Sequence, residues 1–430
     1  MPVKRFSICS GRVVDPSQGM DEPADIHIAD GKILAIGDKP DDFTAEQTID
    51  ASGLVVSPGL VDLSARLREP GQEHKATIAS ETRAAACNGI TTLCCPPDTK
   101  PVIDTPAVAE LLQQRSEASG MSQVLPLAAL TQGLQGKHLA EMGNLKEAGC
   151  VGVSNALKPI EDTRVLAHAF DYAASCDLSV FIQPIDPWLG RDGFAHEGQL
   201  STRMGLAGIP SSTETIALSR DLLLIEQTGV RAHFCRISTA GAVALIREAK
   251  ARKLPVTADV CAHQLFLTEV DLGPYDSQCH VYPPLRSQRD QDALRQGVAD
   301  GTIDAICSDH QPHEPDAKLA PFGETEPGIS ALDTLLPLTL RLGREIHKPL
   351  VETLGYLSHA PAKILGTQAG TLQVGQQADL CLIDTQNYWQ LNNGSFNSRC
   401  HNSPFLDWEL QGRCVATFIR GRQVFSKIQT

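Results

Sequence analysis

The stretch Val61-Asp62-Leu63-Ser64-Ala65-Arg66-Leu67-Arg68-Glu69-Pro70-Gly71 decides how the fold is interpreted. It continues an apolar run, Gly59–Leu63, which is typical of a buried β-strand. Polar side chains then follow at Ser64, Arg66 and Arg68, just where that strand is expected to end. The same arrangement, an apolar run followed by polar residues, recurs along the middle of the chain.

Eight such runs alternate with helical stretches over about 300 residues, which favours a TIM (β/α)8 barrel in the α/β class over an open doubly wound sheet. The predicted strands are Gly59–Leu63, Thr91–Cys95, Val124–Leu130, Cys150–Val153, Leu178–Ile182, Val230–Cys235, Val256–Val260 and Ile303–Cys307. The predicted helices between them include Thr77–Asn88, Pro106–Ser119, Thr213–Gln227, Ala240–Arg252 and Asp290–Val298.

Both ends of the chain have a different pattern, with short alternating strands separated by Gly, Asp and Pro turns. Asp30-Gly31 is a strong hairpin signal near the start, and Gly370–Asp384 has the same style near the end. We therefore predict three segments. Residues 1–56 and 366–430 together form a small β-sandwich domain, and residues 57–365 form the barrel.

The composition excludes several classes of protein. The net charge of −14 and the lack of a Lys/Arg run argue against nucleic acid or an anionic membrane as partner. No signal peptide and no span of about 20 apolar residues is found. The 13 cysteines form no Cys-x-x-Cys pair, and many lie in apolar runs, so we expect reduced thiols in a cytoplasmic protein.

In a TIM barrel the active site lies where the strands end, so the residues after each run are the candidates. A zinc hydrolase needs imidazoles and carboxylates converging there, with one position open for water. Only the eighth run is followed by a dense set, Asp309, His310 and His313. On its own this set indicates either metal or acid/base chemistry, or a hydrogen-bonded structural loop.

Seven motifs together resemble dihydroorotases of the longer bacterial type, over nearly the whole chain. They are Pro58–Leu63, Leu67–Gly71, Asn88–Thr92, Pro283–Arg286, Asp300–Ala305, Ser308–His313 and Ala320–Gly323. The resemblance implies an amidohydrolase barrel that interconverts carbamoyl aspartate and dihydroorotate. In that family a metal-bound hydroxide attacks the ring amide, and an aspartate after the eighth strand shuttles the proton.

The resemblance also implies where the metal ligands belong, and most of those positions hold other residues here. The family's paired histidines of the first strand correspond to Ser64 and Arg66, and its aspartate after the fourth strand corresponds to Asn155. The histidines after the fifth and sixth strands correspond to Gln183 and Arg236. Asp309 is the one position that keeps the family residue.

These replacements are poor zinc ligands. Uncharged amides bind zinc weakly, and a guanidinium has no lone pair to offer. Two guanidiniums would also repel a dication at close range. We therefore expect no zinc and no catalytic residue. Arg66 and Arg236 are expected to occupy the former metal space and to compensate Asp309, which becomes an ion-pair partner rather than a base.

The family's substrate pocket is partly kept. Arg68 and His313 remain, although Arg68 could equally be structural. Asp98 replaces an asparagine, and its charge should repel a dianionic substrate, while Tyr282 replaces a second asparagine. We interpret His233, His263 and His310 as hydrogen-bonding structural histidines.

The resemblance then implies an inactive dihydroorotase homologue of the kind that assembles with the catalytic chain of aspartate carbamoyltransferase in pyrimidine biosynthesis. We expect it to be a structural, non-catalytic subunit needed for the assembly or activity of that enzyme, and to be a homo-oligomer within a larger hetero-complex. Two alternatives stay open. One is an active amidohydrolase on a cyclic amide, with a reduced metal site around Asp309, His310 and His313, and the other is a metabolite-binding sensor.

Overall fold

The computed structural model describes residues 5–428. Its strands are β1 (Arg5–Asp15), β2 (Met20–Ala29), β3 (Lys32–Ile36), β4 (Gln47–Asp50), β5 (Val55–Pro58), β6 (Leu60–Asp62), β7 (Ile90–Cys95), β8 (Gln123–Ala129), β9 (Gly152–Ser154), β10 (Ser179–Ile182), β11 (Ala195–His196), β12 (Gly208–Ile209), β13 (Ala232–Phe234), β14 (Val256–Cys261), β15 (Ala305–Cys307), β16 (Leu380–Gln390), β17 (Glu409–Ile419) and β18 (Arg422–Ser426).

The helices flank the central strands. They are α1 (Ile78–Cys87), α2 (Pro106–Ser119), α3 (Met142–Glu147), α4 (Thr163–Ser175), α5 (Gln199–Met204), α6 (Ser212–Thr228), α7 (Ala240–Ala251), α8 (Gln288–Ala299), α9 (Leu332–Glu345), α10 (Leu350–Gly355) and α11 (His359–Leu365). Among residues 5–428, none of these helices combines the length and the apolar character that crossing a bilayer requires.

Eight parallel strands form the barrel, in the order β6, β7, β8, β9, β10, β13, β14 and β15. The first and last strands meet at a bridge between Ala65 and His310. There the backbone N–H of Arg66 donates to the carbonyl of His310 at 2.9 Å, and the N–H of His310 donates to that of Ser64 at 3.1 Å. The predicted TIM barrel is confirmed, and its closure brings the ends of β6 and β15 together.

The local sequence explains these elements. Every residue of β7 is buried, as expected for a strand covered on both faces in a parallel barrel. Helix α4 begins after Asp162, whose carboxylate accepts from the N–H of Arg164 at 2.8 Å and caps the helix. Its buried residues recur at helical spacing and form one apolar stripe against the barrel: Leu166, Ala169, Phe170 and Ala173.

Apart from the short pair β11 and β12, the remaining strands form a small β domain, one continuous eight-stranded sheet built from both ends of the chain. Strand β5 links the two ends, because it pairs in parallel with β1 and antiparallel with β16. The rings of Phe6 and Phe418 stack at 5.4 Å in the core of this domain. The second domain is thus confirmed, while the exact divisions predicted at residues 56 and 365 stay predictions.

Candidate functional site

A buried carboxylate, Asp309, lies at the carboxyl end of the barrel and is only 3% exposed. Its Oδ1 accepts from the Oγ of Ser64 at 3.1 Å and from the Nη1 atoms of Arg66 and Arg236 at 3.1 and 3.2 Å. Its Oδ2 accepts from the Nε2 of Gln311 at 3.0 Å. Burial alone would raise the pKa of Asp309, but the guanidiniums of Arg236 and Arg66 outweigh burial and hold that pKa below its usual range.

Arg236 is fixed along its whole length. Its Nε donates to the Oε1 of Gln183 at 2.8 Å, and its Nη1 donates to the Oγ of Ser64 at 2.8 Å. Its backbone N–H donates to the Oδ1 of Asp259 at 2.5 Å. Burial alone would lower the pKa of Arg236, but the negative charge of Asp309 outweighs burial and raises that pKa above its ordinary value. The guanidinium is therefore a permanent cation at the centre of the barrel end.

Arg66 joins this centre to a second carboxylate. Its Nε donates to the Oδ2 of Asp98 at 2.9 Å, and Asp98 is partly exposed. Its Nη2 is buried and has no hydrogen-bond partner among the described residues. The cavity beside Arg66, Arg68 and Asp98 has a volume of about 20 Å³, enough for one or two water molecules.

Arg68 and His313 contact each other next to this centre. The Nη2 of Arg68 lies 2.8 Å from the Nε2 of His313, and the Nε of Arg68 donates to the carbonyl of Pro312 at 3.0 Å. The other ring nitrogen of His313 lies 3.1 Å from the Nζ of Lys75. Burial, followed by the charges of Arg68 and Lys75, lowers the pKa of His313 to about 2, so its ring is neutral at any physiological pH.

The side chain of Asn155 bonds to its own loop and to the loop after β8. Its Oδ1 accepts from the hydroxyl of Thr131 at 2.7 Å, and its Nδ2 donates to the carbonyl of Lys158 at 2.7 Å. These bonds satisfy the amide locally, within the loop after β9. The structure thus brings Ser64, Arg66, Gln183, Arg236 and Asp309 into one network and leaves Asn155 outside it.

Tyr282 lines a small cavity together with Gln183 and Arg286. Burial raises the pKa of Tyr282 to about 12, so its phenol is protonated. His263 is also buried near Asp309, and burial lowers the pKa of its ring to about 4. Its Nδ1 has no partner among the described residues.

His310 uses both of its ring nitrogens. Its Nε2 lies 2.8 Å from the Oε2 of Glu81, and its Nδ1 accepts from the backbone N–H of Ala331 at 3.1 Å. Both side chains of the His310–Glu81 pair are completely buried. Neither ring nitrogen is left to bind a metal or substrate.

A separate group, His233, Cys235 and Asp259, places three potential metal-ligand atoms within 4.8 Å of one another. These atoms already have partners. The Nε2 of His233 lies 3.0 Å from Asp259 Oδ2, and its Nδ1 lies 2.9 Å from the hydroxyl of Thr257. Burial raises the pKa of the Cys235 thiol well above its usual value, which disfavours the thiolate that a metal would bind.

The residues around Asp309 do not fit the zinc ion that the sequence resemblance associates with this position. Zinc sites are built from imidazole, thiolate and carboxylate donors about 2 Å from the metal. Here two guanidiniums, which have no lone pair, contact the carboxylate oxygen that would bind the ion. The unpartnered Nη2 of Arg66 adds a cationic donor and not a ligand.

Sequence reasoning missed Asp259 and Gln311, which hold Arg236 and Asp309 in place. Asp259 carried a usable signal, since it is a charged residue inside the apolar run Val256–Val260. Sequence reasoning also missed that Arg236 and Asp309 have positive φ angles of 50° and 48°. Such conformations cost a non-glycine residue about 1 kcal/mol or more and are concentrated at functional sites.

The comparisons with known proteins agree with this fold and show the family. The dihydro-orotase-like family profile matches residues 53–242. A dihydroorotase-like protein of Pseudomonas aeruginosa is 49% identical over 97% of this chain and 98% of its own length. A dihydroorotase of Geobacter sp. is 42% identical over the same shares of the two chains. The chain therefore belongs to the dihydroorotase-like family of amidohydrolases.

Solved structures with this fold include the L-hydantoinase from Arthrobacter aurescens, with a TM-score of 0.87 and 24% identity over 100% of this chain and 97% of that one. The dihydropyrimidinase from Brevibacillus agri has a TM-score of 0.84 at 20% identity, over 99% and 96% of the two chains. At this level of identity the likeness shows the barrel and its accompanying β domain, and no shared activity.

Proposed function

We propose that this chain is a metal-free, catalytically inactive member of the dihydroorotase-like family. In this proposal it is a structural subunit of aspartate carbamoyltransferase in pyrimidine biosynthesis. The observation that carries the inactive part is the pairing of Asp309 with Arg66 and Arg236. The assembly part rests on the sequence resemblance to homologues that have such a role.

The Asp309 pairing opposes the chemistry of the family at two steps. A general base works best when its pKa lies near the working pH, and the pKa of Asp309 is held below its usual range. Both of its oxygens already accept hydrogen bonds from protein side chains, which compete with any substrate proton. The two guanidiniums on its Oδ1 also oppose binding of a metal ion that would activate a water molecule there.

The residues at the family's substrate position also argue against turnover. Asp98 places a negative charge where a dianionic substrate would approach, and this charge is only partly offset by Arg66. Arg68 is engaged with His313 and with the carbonyl of Pro312. The cavity of about 20 Å³ beside them is far below the about 300 Å³ at which small-molecule sites begin.

The alternative of a reduced metal site around Asp309, His310 and His313 needs free imidazole nitrogens. His310 lies against Glu81 and Ala331, and His313 lies against Arg68 and Lys75. A sensor that binds a metabolite next to Asp309 would have to open the same small cavity. No hydrogen bond or cavity around Asp309 favours either of these alternatives over the structural-subunit proposal.

The test of inactivity is dihydroorotate turnover by the purified chain, measured in both directions and with zinc added. We expect no turnover above the uncatalysed rate under any of these conditions. Turnover that disappears with a chelator and returns with zinc would overturn the proposal.

The test of assembly is co-expression with the catalytic chain of aspartate carbamoyltransferase from the same organism. Light scattering gives the mass of the product, and the catalytic chain expressed alone is the control. We expect a hetero-complex containing both chains, with higher carbamoyltransferase activity than in the control. Separate elution of the two chains with unchanged activity would contradict the structural-subunit role.

A further inference from the structure

A second cavity lies at the opposite, amino-terminal end of the barrel. It has a volume of about 790 Å³ and is lined where β9, β10, β13 and β14 begin and by one face of α11. Small-molecule sites typically have volumes of about 300–1,000 Å³. Active sites of TIM barrels lie at the carboxyl end of the strands, so this cavity is separate from the Asp309 centre.

One wall of this amino-terminal cavity is apolar. It is formed by side chains from the strand starts and from α11, namely Val151, Leu178, Leu254, Val256 and Ile364. Apolar lining of this kind favours a ligand with a ring or chain that can leave water.

The rim of the cavity is charged, and its carboxylates are already paired. Asp177 contacts both the Nη1 of Arg231 at 2.7 Å and the Nζ of Lys146 at 3.7 Å. Asp304 contacts the Nζ of Lys250 at 2.7 Å. The two carboxylates are therefore compensated by three cations without any help from α11.

Helix α11 adds a further cation on the cavity side. His359 and Lys363 lie one turn apart on this helix, so both face the cavity that they line. Both are exposed, and neither side chain has a hydrogen-bond or ion-pair partner within residues 5–428. The rim thus has a surplus of positive charge on a chain whose net charge is −14.

We propose that the amino-terminal cavity binds an organic anion with an apolar ring or chain. The anionic group lies against Lys363 and Arg231, and the apolar part lies against Leu178, Val256 and Ile364. This combination uses both features of the cavity, the cationic surplus at the rim and the apolar wall. It does not depend on whether the Asp309 centre is active.

A matched pair of fluorescent probes tests this proposal on the full-length chain. 8-Anilinonaphthalene-1-sulfonate is an organic anion with an apolar ring system, and N-phenyl-1-naphthylamine is its uncharged counterpart. We expect saturable binding of one equivalent of the sulfonate. Lys363→Met should weaken that binding about one-and-a-half- to fivefold, as for loss of one exposed ion pair, and should leave the uncharged probe unaffected.

Two further variants locate the binding. Lys137→Met removes an exposed lysine at the other end of the barrel and should change neither titration. Ala360→Trp adds a bulky ring to the wall of the cavity and should weaken binding of both probes, with an unchanged melting temperature showing that the chain folds. Three results would overturn the proposal. The first is no sulfonate binding, and the second is sulfonate binding that neither Lys363→Met nor Ala360→Trp changes. The third is sulfonate binding that is lost as the protein concentration rises. The last result would mean that a second copy of the chain covers the cavity.

Discussion

Arg236 and Asp309 form a buried ion pair in which the Nη1 of Arg236 lies 3.2 Å from the Oδ1 of Asp309. The side chains are only 4% and 3% exposed. Because Arg66 contacts the same oxygen, one carboxylate compensates two guanidiniums, and Asp98 supplies the second negative charge. Removing one member of such a buried network leaves another charge unpaired. The free energy of unfolding is therefore expected to fall more than it would for an exposed ion pair.

Asp309→Asn should destabilise the protein strongly. The substitution keeps the size of the side chain but leaves the guanidinium of Arg236 with no carboxylate partner within residues 5–428. Loss of one member of a buried pair costs about 3–5 kcal/mol in the free energy of unfolding, measured by denaturant titration. Asp41→Asn, in an exposed loop, is the control and should change this free energy by less than about 0.5 kcal/mol. An equally small effect of Asp309→Asn would contradict the proposed pairing.

A double-mutant cycle should show that Arg236 and Asp309 stabilise the fold as a unit. Arg236→Gln and Asp309→Asn together should cost less than the sum of the single changes, by about 1–3 kcal/mol. The exposed pair Arg12 and Asp21, with Arg12 52% exposed, provides the matched comparison. Its coupling energy should stay below about 1 kcal/mol. Additive effects at both pairs would show that the buried contact is not energetically coupled.

The stability of the fold should fall as the pH drops from 7 to 5, partly because of His263. Burial lowers the pKa of this ring to about 4, whereas it is about 6.5 in the unfolded chain. Between these values the unfolded chain binds a proton that the folded chain does not, so acid favours unfolding. His263→Gln should reduce the loss of stability over this range by about 1–2 kcal/mol. The exposed His138→Gln serves as control, and equal pH profiles for the two variants would contradict this assignment.

The sequence predicted the barrel because its strands are buried on both faces and appear as apolar runs, of which β7 is the clearest case. It also identified Arg66, Arg236 and Asp309 as candidates, since residues directly after parallel strands meet at one edge. It did not reveal that Arg66 also pairs with Asp98, which was interpreted as a substrate-pocket residue. Such a pairing depends on how two loops fold toward each other, and spacing along the chain carries no record of it.

Asn155 shows a second limit of the sequence. Its place after the fourth barrel strand matches a family ligand position, yet its amide bonds to Thr131 and Lys158 and not to the Asp309 network. An uncharged amide is satisfied by any nearby hydroxyl and carbonyl, so its direction follows local geometry. The direction of a side chain at a strand end is therefore visible in the structure alone.

The zinc content of the purified chain tests the central claim most directly. Protein expressed in zinc-supplemented medium is measured by inductively coupled plasma mass spectrometry, alongside Asp309→Asn and, for the separate group, His233→Gln. If Asp309 is an ion-pair partner, we expect well under about 0.1 equivalents of zinc in all three, since a tight site would hold about one. About one equivalent in the unmodified chain that is lost in Asp309→Asn would contradict the account. Zinc lost only in His233→Gln would place a metal at the other group and leave the Asp309 centre metal-free.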